Sequence, residues 1–375
     1  MEYFRLGDLY KITKGKKVEA VEQSQDDVIR YIQIDDLRNN DNLKYCINDG
    51  KYVLAHEDDL IIAWDGANAG TIGYGLSGAI GSTLARLSTN SKEIYTPFIG
   101  RYMQAQSKTL RDRCTGATIP HIQKSVLEEI QIPKYDIDTQ KEISKVLDIA
   151  QGLIDKRKEQ IEACDELIKS QFIEMFGDPV SNPKNWDEQL LGELGLLGRG
   201  VSKHRPRNDP KLLGGIFPLI QTGDVANADL YISEYKMTYS ELGLQQSKMW
   251  DKGTLCITIA ANIAKTGILT FDACFPDSVV GFVANEKTNN LFMHYWFTFF
   301  QRILEEQAPE SAQKNINLKI LNELSVIIPP IELQNEFAQF VQQADKLKFE
   351  MEQSLTELEN NFNSLMQKAF KGELF

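Results

Sequence analysis

The chain is poor in the residues that most often carry chemistry: it has four His and five Cys in 375 residues. Cys46, Cys114, Cys164, Cys256 and Cys274 form no CxxC and no Cys/His cluster at metal-binding spacing. That leaves no candidate metal site and reads as the reduced thiols of a cytoplasmic protein. His56, His121, His204 and His294 are scattered, without the partner spacing of a catalytic triad. HExxH and GxSxG are absent. DGANAGTIGYG (65–75) is glycine-rich but matches neither the P-loop nor the dinucleotide fingerprint, so its glycines are read as turn residues. No catalytic residue is assigned.

Long apolar runs are missing too. LFMHYWFTFF (291–300) is too short to span a bilayer and is expected to be a buried helix. MEYFRLGDLY shows neither the basic nor the apolar region of a signal peptide, so no membrane partner is expected. Positive charge is in deficit, with a net charge of −12. Spread evenly, that balance would argue against a nucleic-acid binder, since phosphates need Lys and Arg. The charge is segregated, however. Glu350, Glu352, Glu357 and Glu359 crowd a helical tract, while Lys14, Lys16 and Lys17, Arg111 and Arg113, and Arg199, Lys203, Arg205 and Arg207 form basic groups.

What the sequence does contain is a repeat. IQIPKYDIDTQKEI (130–143) and VIIPPIELQNEF (326–337) each run from an apolar stretch through Pro133 or Pro329 to Gln-x-Glu-apolar. An offset of 194 places Gln140 on Gln334, Glu142 on Glu336, Ala150 on Ala344 and Phe176 on Phe370. Each phrase opens a tract of about 35 residues with a heptad seam, long enough for a helix of roughly 50 Å. The seam runs Ile143, Leu147, Ile154, Ile161, Ile168 in the first copy and Phe337, Val341, Met351, Leu355, Leu358, Phe362 in the second. Arg157, Gln171 and Lys348 interrupt it. A polar helix with one narrow apolar seam needs a partner, and the other copy, antiparallel in the same chain, is the cheapest.

The repeat extends upstream. YIQIDDL (31–37) corresponds to LIQTGDV (219–225), and IIAWDGANAGTIG (61–73) to CITIAANIAKTGI (256–268), with Asn68 on Asn262 and Gly73 on Gly267. GAIGS (78–82) echoes SVVGF (278–282), and GATIPHIQKSVLEEI (116–130) echoes SAQKNINLKILNEL (311–324). The expected fold is α+β. Two similar mixed α/β domains, 1–139 and 179–333, alternate with two long helices, 140–178 and 334–375, and 179–189 is a linker.

The polar loops of both copies are rich in residue types that contact DNA: Lys and Arg for phosphates or guanine, Asn and Gln for adenine. In the first copy these are Lys14, Lys16, Lys17, Arg38, Asn39, Asn40, Asn68, Arg111, Arg113, Thr115, Thr118, His121, Gln123 and Lys124. In the second they are Arg199, Lys203, His204, Arg205, Arg207, Asn262, Lys265, Gln313, Lys314, Asn315 and Asn317. RGVSKHRPRNDPK (199–211) is the most basic stretch. Composition alone allows it to be a solvated loop, and Asn68 and Asn262, beside turns, can equally be turn residues.

The twice-written phrase, the two domain–helix units and the terminal LMQKAFKGELF (365–375) together resemble the specificity subunits of type I restriction–modification systems. The resemblance covers essentially the whole chain. It implies a non-catalytic, pseudo-two-fold subunit whose two target-recognition domains each read one half of a bipartite double-stranded DNA site. It also implies that the helix pair sets the spacing and docks two methyltransferase subunits, with restriction/translocase subunits able to join. S-adenosylmethionine, ATP and Mg would then act in those partners, with no cofactor in this chain. A scaffold or decoy that binds methyltransferase subunits without directing modification keeps the same helices and stays open as an alternative, and a stand-alone nuclease is disfavoured by the missing motifs.

Overall fold

The computed structural model describes residues 2–24, 27–116, 119–260, 263–307 and 316–374. The chain falls into two compact units, Met1–Lys158 with Gln353–Phe375, and Glu159–Glu352.

The first unit contains β1 (Tyr3–Arg5), α1 (Leu6–Leu9), β2 (Lys11–Lys14), β3 (Val28–Ile32), β4 (Lys44–Ile47), β5 (Leu54–Ala55), β6 (Leu60–Ala63), β7 (Ile72–Tyr74), β8 (Gly78–Ile80) and β9 (Leu84–Ser88). There follow α2 (Thr96–Ala105), α3 (Ser107–Asp112), α4 (Lys124–Glu128), β10 (Gln131–Pro133) and the start of α5 (Ile137–Phe176). Its sheets have the orders β2-β9-β6-β7, β4-β3-β8-β5 and β1-β10. The wholly apolar β6, LIIA, is central and buried along its length, as a continuous apolar run should be.

The second unit repeats this plan with β11 (Glu188–Leu190), β12 (Gly195–Arg199), β13 (Leu213–Leu219), α6 (Thr222–Ala226), β14 (Tyr231–Ile232), β15 (Met237–Tyr239) and α7 (Glu241–Gln245). It continues with β16 (Met249–Trp250), β17 (Leu255–Thr258), β18 (Thr266–Leu269), β19 (Ala273–Cys274), β20 (Val279–Ala284), α8 (Asn290–Gln307), α9 (Leu318–Asn322), β21 (Ser325–Ile327) and α10 (Ile331–Lys371). Its sheets are β12-β20-β17-β18-β14, β15-β13-β19-β16 and β11-β21. Strand for strand this is the first unit's topology with β14 added at an edge. The register agrees as well: Ile61 opposes Gly73 and Cys256 opposes Gly267. A Cβ on Gly73 would meet Leu37 at 2.8 Å, and one on Gly267 would meet Ile232 at 2.9 Å, so both glycines admit a helix or strand packed over them.

Two details go beyond the sequence reading. GAIGS is not matched by SVVGF. Tyr31 pairs with Ala79 in parallel, and its counterpart Leu219 pairs with Cys274, so GAIGS corresponds to DACFP (272–276). SVVGF lies around the start of β20, the counterpart of β9. The misleading shared glycine follows β8 in one copy and sits inside β20 in the other. The second detail is LGDL (6–9) and LGEL (191–194), an unnoticed repeat. Leu6 donates its N–H to Ile130 and Leu191 to Leu324, both at 2.9 Å, closing each domain onto the segment before its long helix.

Within each unit the long helices pack antiparallel. In the first, Ile143 and Leu147 share a core with Phe362, Leu365, Ala369 and Phe98, and farther along Lys158 meets Glu359 at 3.2 Å. In the second, Ile168, Phe172 and Phe176 share a core with Ala344, Val341 and Phe337, and Phe172 and Phe176 lie 5.4 and 5.5 Å from the Phe337 ring. Ile143, Leu147, Ile154, Ile168, Phe337 and Val341 are buried, and Ile161, Met351, Leu355, Leu358 and Phe362 are half-buried. The segment read as a buried helix is α8, with Phe292, Met293, His294, Trp296 and Phe297 inside the core. Among the described residues no helix is long and apolar enough to cross a membrane.

Candidate nucleic-acid interface

The functional candidates gather where β6 and β17 end. In the first unit β6 turns into β7 through residues 64–71. Gly66 and Gly70 have φ of +98° and +91°, which is what glycine in such a turn supplies, so the glycine-rich segment is turn geometry. Lys14, at the end of β2, reaches the Asp65 carboxylate at 2.7 Å. Asp65 and Thr115 both form antiparallel bridges with His121, and the Thr115 hydroxyl lies 3.0 Å from His121 Nε2. On the far side of the turn, Arg38 donates to the Asn68 side-chain oxygen at 2.8 Å. The Arg111 guanidinium lies 3.5 Å from the Ala69 carbonyl, and Arg113 is exposed two residues later. Arg38 and Arg111 thus face neutral acceptors, and their charges are not cancelled there.

Other candidates lie apart. Lys16 donates to the Lys51 carbonyl at 2.9 Å, and Lys17 is exposed beside it. Asn39 and Asn40 are exposed after Arg38, and Asn40 accepts from Arg30 at 2.8 Å. Lys124 pairs with Glu128 one turn along α4, and Gln123 is that helix's N-cap residue. Thr118 lies outside the described residues.

The second unit builds the same edge with different side chains. Arg199 ends β12 as Lys14 ends β2: Gly15 donates to Leu84, Gly200 to Val279, each at 2.9 Å. A Cβ on Gly15 would lie 2.2 Å from the Gly81 carbonyl, and one on Gly200 2.2 Å from that of Phe275, so glycine is required at both. The next turn is fixed alike. Ile122 donates to Trp64 and Ile316 to Ile259, both at 3.0 Å. Here three arginines converge on Asp277, a residue no local pattern singles out. Arg199 donates twice to its carbonyl, at 2.8 and 2.6 Å. Arg207 binds one carboxylate oxygen, and Arg205 lies 3.7 Å from the other. Three guanidinium groups on one carboxylate leave a positive excess, which suits a polyanion.

His204 lies 3.1 Å from Asp209, whose carboxyl is held below its usual range, first by the Lys211 N–H it accepts. Lys203 and Lys265 are exposed. Asn317 is placed as a helix cap: its side-chain oxygen accepts the Ile320 N–H at 3.0 Å, which starts α9 and commits that oxygen locally. Asn262, Gln313, Lys314 and Asn315 lie outside the described residues. Among the described residues no group of His, Cys, Asp and Glu is arranged to hold a metal ion.

The chain matches the family model for the type I restriction modification DNA specificity domain twice, over residues 1–163 and 183–360. It belongs to that family of DNA-specificity proteins. It is 29% identical over 194 residues to the MjaVIII specificity subunit of Methanocaldococcus jannaschii, a match spanning 52% of this chain and 46% of that protein. It is 23% identical to the EcoBI specificity subunit of Escherichia coli, over 97% of this chain and 84% of that one. Among solved structures, a chain from a study of type I R-M assembly and conformational transition matches with a TM-score of 0.65 and 16% identity, over 100% of this chain and 98% of that chain. The S subunit from M. genitalium matches with a TM-score of 0.58 and 16% identity, over 98% and 95%. At these identities the structures establish a shared fold.

Proposed function

We propose that the chain is the non-catalytic, cytoplasmic specificity subunit of a DNA-modifying complex, in which each unit reads one half of a bipartite double-stranded site. The observation that carries this is the repeated edge. One strand position holds Lys14 in one unit and Arg199 in the other, each beside the same turn, and the side chains around them differ. A shared frame with divergent side chains is what two related readers of different half-sites need. The long helices act as the spacer and dock two methyltransferase subunits. Restriction/translocase subunits join the same assembly, and S-adenosylmethionine, ATP and Mg belong to those partners.

The test is a methylome. The chain is co-expressed with its neighbouring methyltransferase in a methylation-free host, and modified adenines are sequenced. Two short fixed sequences around a constant gap are expected. Lengthening α5 within 150–165 should alter the gap and neither half. A stable complex that methylates nothing would favour a decoy scaffold.

A further inference from the structure

We propose that Ile119 is a wedge that enters a base step of the half-site bound by the first unit, unstacking the duplex there. This rests on the DNA-recognition reading above and adds a residue that acts on DNA shape.

Ile119 is 62% exposed, a large cost-bearing exposure for an isoleucine on an otherwise polar edge. Its backbone is held. Gly116 has a φ of +108°, and a Cβ there would lie 2.3 Å from the Ile119 carbonyl oxygen. The next residue, Pro120, accepts the Gly66 N–H at 2.9 Å. Thr115 and His121 exchange both backbone hydrogen bonds, at 3.1 and 2.8 Å. The segment is therefore tied to the β6–β7 turn, and it presents an Ile-Pro pair, apolar and stiff, from a fixed base.

The same turn carries the cations. Asn68 holds Arg38 and Ala69 faces Arg111, each with its charge uncompensated at that contact. An apolar tip between guanidinium groups is matched by a ligand that is anionic outside and apolar within. Duplex DNA has that profile, with phosphates flanking stacked bases. Ile and Pro are among the side chains that proteins insert between base steps. A protein partner would need acidic residues around an apolar socket, a pairing the edge does not favour over the polyanion the unit recognises. The offset that places Ile122 on Ile316 puts Gln313 where Ile119 stands, so the wedge is assigned to the first unit alone.

The experiment uses the full chain assembled with its methyltransferase subunits. Oligonucleotide duplexes carry 2-aminopurine, one position at a time, across both half-sites, the modified adenines excluded. With the wild-type chain, fluorescence should rise severalfold at one step of one half-site. Ile119→Ala should abolish that rise and weaken binding about tenfold, the scale of losing contacts to an unstacked step. Ile119→Leu should keep both, and the methylated motif should be the same for all three. An unchanged 2-aminopurine signal in Ile119→Ala would overturn the proposal. So would relaxation of a single letter of the motif, which would make Ile119 a base reader. Absence of site-specific binding by the wild-type complex would instead refute the DNA-recognition reading on which the wedge rests.

Discussion

The Thr288 hydroxyl donates to the side-chain oxygen of Gln334 at 2.9 Å, inside the protein. Gln334 is 0% exposed, and its amide nitrogen donates to the Lys287 and Pro329 carbonyls at 3.1 and 2.8 Å. Gln140 does the same work in the first unit: its oxygen accepts the Tyr95 N–H at 2.9 Å, and its nitrogen donates to Glu93 and Tyr135. The repeated Gln-x-Glu phrase is therefore a staple. One buried amide ties the segment before the long helix to the segment before α2 or α8, satisfying carbonyls that water cannot reach.

Gln334→Met should cost the second unit about 2–3 kcal/mol, because a hydroxyl and two carbonyls lose their partner while the side-chain volume is kept. Gln334→Glu should cost more, since it buries a carboxylate and removes both donors. Urea unfolding of the two variants beside wild type measures this. An unchanged stability in Gln334→Met would show that the amide is dispensable.

His294 gives the second unit an acid-sensitive core. It is 4% exposed, its Nδ1 lies 2.9 Å from the Thr266 hydroxyl, and burial lowers its pKa from 6.5 to about 4. The folded state keeps the ring neutral while the unfolded chain takes up a proton below pH 6.5. The stability that His294 contributes is thus present above pH 6.5 and is lost as pH falls towards 4. Between pH 6.5 and 5 the loss is roughly 2 kcal/mol. In His294→Asn this component of the acid slope should vanish. Urea midpoints at pH 7, 6 and 5 for the two proteins test the difference, and parallel slopes would rule the histidine out as its source.

The duplication was legible because both periodicities survive in it. The heptad seam specified the helices, and alternating or continuous apolar runs specified the strands. Short phrases were harder. LGDL and LGEL are only four residues long and sit at an offset of 185, not 194, so the helix alignment does not bring them together. GAIGS was matched to SVVGF on a glycine with different jobs in the two copies. The basic groups were visible as composition, but their gathering was not: Arg207 and Asp277 meet across 70 residues of sequence. The cap made by Asn317 shows the converse, since a residue type suited to reading adenine can be committed to starting a helix.

Lys348 looked like a flaw in the seam, and the structure gives it partners. Its side chain is 12% exposed, and its ammonium lies 2.9 and 3.2 Å from Asp165 on α5 and Asp229 before β14. Burial works against its charge, but the hydrogen bond and charge of Asp165, with Asp229, outweigh it and hold the pKa above the usual lysine value. Asp345 is raised, first by burial, with Lys348 opposing the shift. Lys348→Met therefore leaves carboxylates crowded at the helix pair. Asp165 and Asp229 are 48% and 86% exposed, so solvent screens much of the repulsion, and the expected cost is about 1–2 kcal/mol, not the larger value of a fully buried break. Lys348→Met with Asp165→Leu should recover most of that loss, since an apolar pair suits a seam. At the matching position of the first tract stands Ile154, 3% exposed, which shows that the heptad accepts an aliphatic side chain there. A double-mutant cycle by urea unfolding decides the point. If the double variant is less stable than Lys348→Met alone, the ion pair is not what holds the helices at this level.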